Sequence, residues 1–203
     1  MKKKTNIILL LVVALIQFGA IAWLIMRYEN VVKNGVECRF ACQAYDPHDP
    51  FRGRFLRVRV EDTCAYDGGI AADSYRVPVW AKIDPQGGTN GLSKAVKCAD
   101  KPEDSGLWVH IPSANLQYNL RWNHREEDES SDDFYRRRKE SGLIARIQFP
   151  DKFFLNERIA RKAEGIIIKR MNEAVAVYKV MYNSAVLTDI VIGGKSILEL
   201  ARE

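Results

Sequence analysis

Residues 7–26 read IILLLVVALIQFGAIAWLIM, twenty positions whose only strongly polar member is Gln17. At about 1.5 Å per residue, a helix of this length covers the roughly 30 Å hydrocarbon core of a bilayer. The h-region of a cleaved signal peptide is shorter, about 7–15 residues, and ends in a small-x-small site. Residues 19–22 supply small side chains, but the run continues through Trp23, Leu24, Ile25 and Met26. The stretch therefore predicts an uncleaved anchor over residues 7–28, with Trp23 and Tyr28 at an interfacial depth.

Orientation follows from the flanking charges. Lys2, Lys3 and Lys4 precede the run, whereas Arg27 and Lys33 follow it among Glu29 and Glu37. The Lys/Arg excess assigns residues 1–6 to the cytoplasm and residues 29–203 to the outside, an N-in, C-out chain in a bacterial cytoplasmic membrane. The same four basic residues, Lys2, Lys3, Lys4 and Arg27, carry all but one unit of the net charge of +5. A nucleic-acid partner is not expected, because the basic excess is a topology signal rather than a patch.

The whole chain of 203 residues, 47% apolar and 28% charged, leaves room for one folded domain beyond the anchor. Its dominant period is two. Leu56, Val58 and Val60 alternate with Arg57 and Arg59, and Cys38, Phe40 and Cys42 with Arg39 and Ala41. Further short strands are expected at 77–83, 94–98, 107–111, 116–122 and 143–149, between clusters of Gly, Pro, Asp and Asn. Residues 174–182 and 185–192 flank Asn183-Ser184, a two-residue hairpin signature, and Gly193-Gly194 marks the next turn. One helix is expected behind the N-cap Asn156, with Ile159, Ala163, Ile166, Ile167 and Met171 at helical spacing. The fold class is α+β: a mainly antiparallel β domain with one helix near the C-terminal third, preceded by a single transmembrane helix. Residues 121–142, an acidic block followed by Arg136, Arg137, Arg138 and Lys139, read as a solvated charged loop.

Four cysteines in an oxidising compartment permit two disulfides. Four residues along a strand span about 13 Å, too far for a bridge, so Cys38–Cys42 is disfavoured if that segment is extended. Cys38 and Cys42 would each pair with Cys64 or Cys98. Metal ligation is not expected, because Cys64 and Cys98 are isolated and no His pair completes a site.

Residues 46–53 (DPHDPFRG) form the densest local signal. Pro47 and Pro50 fix φ, the Asp46 and Asp49 carboxylates can cap turn N–H groups or pair with Arg52, and Gly53 relaxes the backbone before the strand. The segment reads as a rigid structural loop or, with Arg57 and Arg59, as a surface for an anionic envelope ligand. His48, His110 and His124 lie in no nucleophile motif, and neither G-x-S-x-G, S-x-x-K nor H-E-x-x-H occurs. No cofactor, small-molecule substrate or enzymatic activity is expected. The alternative is a membrane-bound envelope hydrolase of the serine–lysine type, its site assembled in space.

These segments resemble the GDYXXLXY family, whose members have an N-terminal hydrophobic helix followed by D-P-x-D-x-F-R-G-D-Y-x-x-L-x-Y. Asp46, Pro47, Asp49, Phe51, Arg52 and Gly53 match the first half of that pattern. The second half departs from it, with Arg54 at the Asp position, Phe55 and Val60 at the two Tyr positions and Val58 at the Leu position. Residues 149–157 (FPDKFFLNE) are similar to the family's aromatic segment entering a helix, and Gly193-Gly194-Lys195 to its closing hairpin. Residues 63–138 align with nothing in the family. The resemblance implies a membrane-associated protein without an assigned activity, often encoded beside a multi-pass membrane protein. An accessory or interaction role with such a partner is the expected function.

Overall fold

A computed structural model describes residues 2–45, 55–70, 76–119 and 130–202. The chain begins with one helix, α1 (Lys2–Asn34), followed by β1 (Val36–Ala41), β2 (Gln43–Tyr45), β3 (Phe55–Arg59), β4 (Glu61–Asp67), β5 (Val77–Asp84), β6 (Lys94–Ala99) and β7 (Trp108–Tyr118). Then come α2 (Ser131–Glu140), β8 (Leu143–Gln148), β9 (Lys152–Phe154), α3 (Glu157–Lys169), β10 (Ala174–Met181), β11 (Ser184–Ile192), β12 (Lys195–Ser196) and α4 (Ile197–Leu200). The α+β class, an apolar N-terminal helix followed by a mostly antiparallel β domain, is as the sequence predicts.

The helix α1 is long and apolar enough to cross a membrane. Its apolar side chains, among them Leu10, Leu15, Phe18 and Met26, are exposed. It does not stop where the apolar run stops. Eight further residues project about 12 Å beyond Met26, and there Val31 is 1% exposed, seated against β10 and β11. Gly35 allows this approach: a Cβ there would collide with the Val31 carbonyl and stand 3.1 Å from the backbone nitrogen of Val180.

The domain has three strand layers. One antiparallel sheet runs β1-β10-β11-β12, a second runs β2-β3-β9, and a closed five-stranded barrel runs β4-β6-β5-β7-β8. Within the barrel only β4 and β6 are parallel. So small a barrel has room for side chains alone, and Ala81, Ala95, Ala114 and Ala145 are buried beside Val79, Ile83, Ile111, Leu116 and Ile147. Sheet and barrel meet at three aromatics. Phe40 lies 4.5 Å from Phe149 between centroids, and Tyr178 lies 6.0 Å from Phe40 and 5.5 Å from Phe149. The Tyr178 hydroxyl donates to the Pro150 carbonyl at 2.7 Å. Its burial drives the phenol pKa upward. Ser93 makes a second join, accepting from the Arg39 amide at 2.9 Å and donating to the Pro85 carbonyl at 2.9 Å.

The structure corrects four expectations. The charged loop at 121–142 contains α2 over Ser131–Glu140. Its Ser130 Oγ accepts from the Asp133 amide at 3.2 Å, and Asp132 and Asp133 in its first turn complement the helix dipole. The separate strands at 107–111 and 116–122 are one strand, β7, which passes Pro112 at a register shift opposite β5 and needs no ladder donor there. The hairpin turn sits one residue earlier than expected, on Tyr182 and Asn183, both at positive φ (50° and 63°). The cysteine pairing also differs. Cys64 and Cys98 are bonded to each other, with Cα atoms 5.7 Å apart, and Cys38 and Cys42 are free and buried. The parallel β4–β6 seam pairs only Ala65–Asp67 with Lys97–Ala99, and the disulfide spans that short seam. Cys38 and Cys42 instead face the core from β1 and its end, where burial pushes their thiols up to about 11 and about 12.

This arrangement sets the thiol chemistry. The native chain should show no maleimide modification at pH 8, and unfolding without reductant should release two reactive thiols, Cys38 and Cys42. Reduction should lower stability by about 2–4 kcal/mol, the usual effect of opening a loop of 34 residues. Modification of Cys64 or Cys98 in the unreduced chain would contradict the pairing.

Candidate functional site

Beside the end of the anchor lies a cleft of about 580 Å³. Five segments far apart in sequence build it: the end of β3, residues 109–113 of β7, the β8–β9 connection, the β10–β11 turn and Tyr28 of α1. Strand alternation determines what each contributes. On β3, Val58 turns into the core while Arg57 and Arg59 stand on the exposed side. On β7, Val109 and Ile111 are buried and His110 faces outward, its ring 5.0 Å from that of Trp80.

The charged groups of this wall are paired. Arg57 Nε donates to Asp151 Oδ2 at 2.5 Å, and the Asp151 carbonyl accepts from the Val58 amide at 2.9 Å. Arg59 Nε stands 3.5 Å from Glu61 Oε1. Two guanidiniums, one carboxylate and one imidazole thus line a cleft with an apolar floor. Such a mixture suits a partner carrying both polar and apolar groups.

A hydrogen-bonded clasp holds the mouth of the cleft. The His110 amide donates to the Asn183 carbonyl at 2.9 Å, tying the β10–β11 turn to the barrel. On the other side of the same turn, Asn30 Nδ2 donates to the Tyr182 hydroxyl at 2.9 Å and Arg27 to the Tyr182 carbonyl at 3.4 Å. One turn therefore touches both the barrel and the helix.

Of the residues singled out in the sequence, Arg57 and Arg59 lie on the cleft wall, and His110 joins them. Asp46, Pro47, Asp49, Phe51, Arg52 and Gly53, which connect β2 to β3, lie outside the described residues, as do His48 and His124. None of the four cysteines lines the cleft. Sequence reasoning missed Tyr28, Asp151 and Asn183 as site residues. Asn183 carried a local signal as a turn former and Tyr28 as an interfacial aromatic, neither as a site residue. The cleft also contains Ser113 and Ser184, but among the described residues neither hydroxyl is hydrogen-bonded to His110. Among the same residues no three His, Cys, Asp or Glu side chains cluster as metal ligands would.

Compared with known proteins, the chain matches no family model, no curated protein and no solved structure. The alternating segment from Phe55 onward is β3 on the cleft wall.

The pairing of Arg57 with Asp151 is open to a double-mutant cycle on the full-length chain in neutral detergent. Both side chains are partly exposed, at 46% and 35%, so a coupling of about 0.2–1 kcal/mol is expected between Arg57→Ala and Asp151→Ala. Strictly additive losses would remove the pair from the cleft's architecture.

Proposed function

We propose that this chain is a membrane-anchored extracytoplasmic interaction protein, N-in and C-out in a bacterial cytoplasmic membrane, that works with a multi-pass membrane partner. The observation carrying this reading is the continuity of α1, which leaves the apolar run without a break and ends in the domain core at Val31. A protein that needed only to remain near a membrane could hang from a flexible linker. A rigid stalk fixes both the height and the facing of the domain, and those matter when the target is itself fixed in the bilayer. Lys2, Lys3 and Lys4 before the apolar run support the orientation. The Cys64–Cys98 bond suits an oxidising compartment.

Two measurements test the reading. A C-terminal alkaline phosphatase fusion should be active and a cytosolic reporter at the same position silent, and the reverse result would end the topology. Crosslinking and detergent extraction should recover one stoichiometric membrane partner. A flexible Gly/Ser insert after Met26 should lose that partner while the domain still melts normally. Recovery unchanged by the insert would mean that the stalk's rigidity has no role, and covalent labelling by serine-hydrolase probes would favour an enzyme instead.

A further inference from the structure

Gln17 is the one strongly polar side chain in residues 7–26 and lies at the centre of that run, at mid-membrane depth if α1 spans a bilayer. Its primary amide offers two donors and a carbonyl acceptor. Among the described residues it has no hydrogen-bond partner, because nothing from the domain reaches that level of the helix. In hydrocarbon such an amide seeks a side chain on a neighbouring helix.

The helix also fixes the direction in which Gln17 points. At 3.6 residues per turn, Gln17 lies 14 residues before Val31 and so about 40° from it in projection, with Leu24 and Ala20 each about 20° from it. Val31 marks the side of α1 on which the domain sits, and Tyr28 on the same side lines the cleft. The domain therefore overhangs the membrane region that Gln17 faces. That overhang decides between occupants. A second copy packed symmetrically on this face would bring its own domain to the same side, and both domains would claim the space above the helix pair. A chain whose mass lies within the bilayer meets no such obstacle.

Building on the proposal of a membrane partner, we infer that the Gln17–Ala20–Leu24 face of α1 is its docking surface. The occupant is a transmembrane helix of a different protein, with short extracytoplasmic loops and a hydrogen-bonding side chain at mid-membrane depth. Ala20 beside Gln17 lets the two backbones approach closely. The cleft then hangs directly above the docked helix, so that anchor and cleft address the same partner at two levels.

The test is site-specific photocrosslinking in the full-length chain in intact cells. A photoreactive residue is placed at Ala20 or Leu24 on this face, at Leu15 or Ala22 on the opposite face, or at Ser113 in the cleft. The expected result is one adduct from Ala20 and Leu24, absent from Leu15 and Ala22, whose crosslinked peptide is a transmembrane segment with a polar residue. Gln17→Leu should lower that yield about three- to twentyfold, the effect of losing one interhelical hydrogen bond, and Gln17→Asn should retain it. Gln17→Leu makes the run more apolar, so a lost adduct is not lost insertion. Equal adducts from both faces, an adduct at twice the chain's own mass, or a yield indifferent to Gln17→Leu overturns the inference. Adducts from Ser113 alone overturn it while leaving the partner in place, and no adduct from any position overturns both.

Discussion

The structure depends on the β10–β11 turn being held from two sides. Tyr182 and Asn183 take positive φ, a conformation that is tolerable for Asn and costs about 1 kcal/mol or more for Tyr. The chain accepts it because the turn is bonded to the barrel through His110 and to the helix through Asn30 and Arg27. Without that grip the cleft would lose the wall that α1 and the turn provide. A two-residue turn thereby makes a helix, a sheet and a barrel share one geometry.

Behind the turn, β10 carries the same constraint into the core. It is the inner strand between β1 and β11, and its Tyr178 is wholly buried against Phe40 and Phe149. Truncating one such aromatic removes about 3–5 kcal/mol, comparable to the whole margin of a small domain. Phe149 follows β8 and Tyr178 bonds Pro150, so the aromatic cluster also fixes the connection that delivers Asp151 to the cleft. The barrel is closed differently, by a short parallel seam with a disulfide across it.

What the sequence made legible and what it hid have physical reasons. The anchor and the strands β1, β3, β5, β6, β8, β10 and β11 could be read because each places apolar side chains at a period dictated by its own surroundings. The strand β4 could not, because Glu61–Asp67 buries only Cys64 and Tyr66 among polar neighbours. With β4 unseen, Cys64 had no strand partner in view, and the pairing fell to Cys38 and Cys42. The helix α2 escaped because it has no apolar stripe; its cap and its sequence of acidic then basic residues define it. Of the site, Arg57 and Arg59 were visible as the polar half of an alternating strand. Tyr28, His110, Asp151 and Asn183 come together only through the non-local pairings of β7, β9 and β10, which no local pattern encodes.

The central claim is that anchor and domain form a single rigid body, with the domain overhanging one face of the helix. Electron paramagnetic resonance tests it directly, using spin labels attached through Met26→Cys on α1 and Val96→Cys on β6, both exposed positions. With the full-length chain in lipid bilayers, the account predicts one narrow distance distribution, unchanged on replacing the lipid. A broad or multi-peaked distribution would mean that the domain swings on its stalk, and would contradict it.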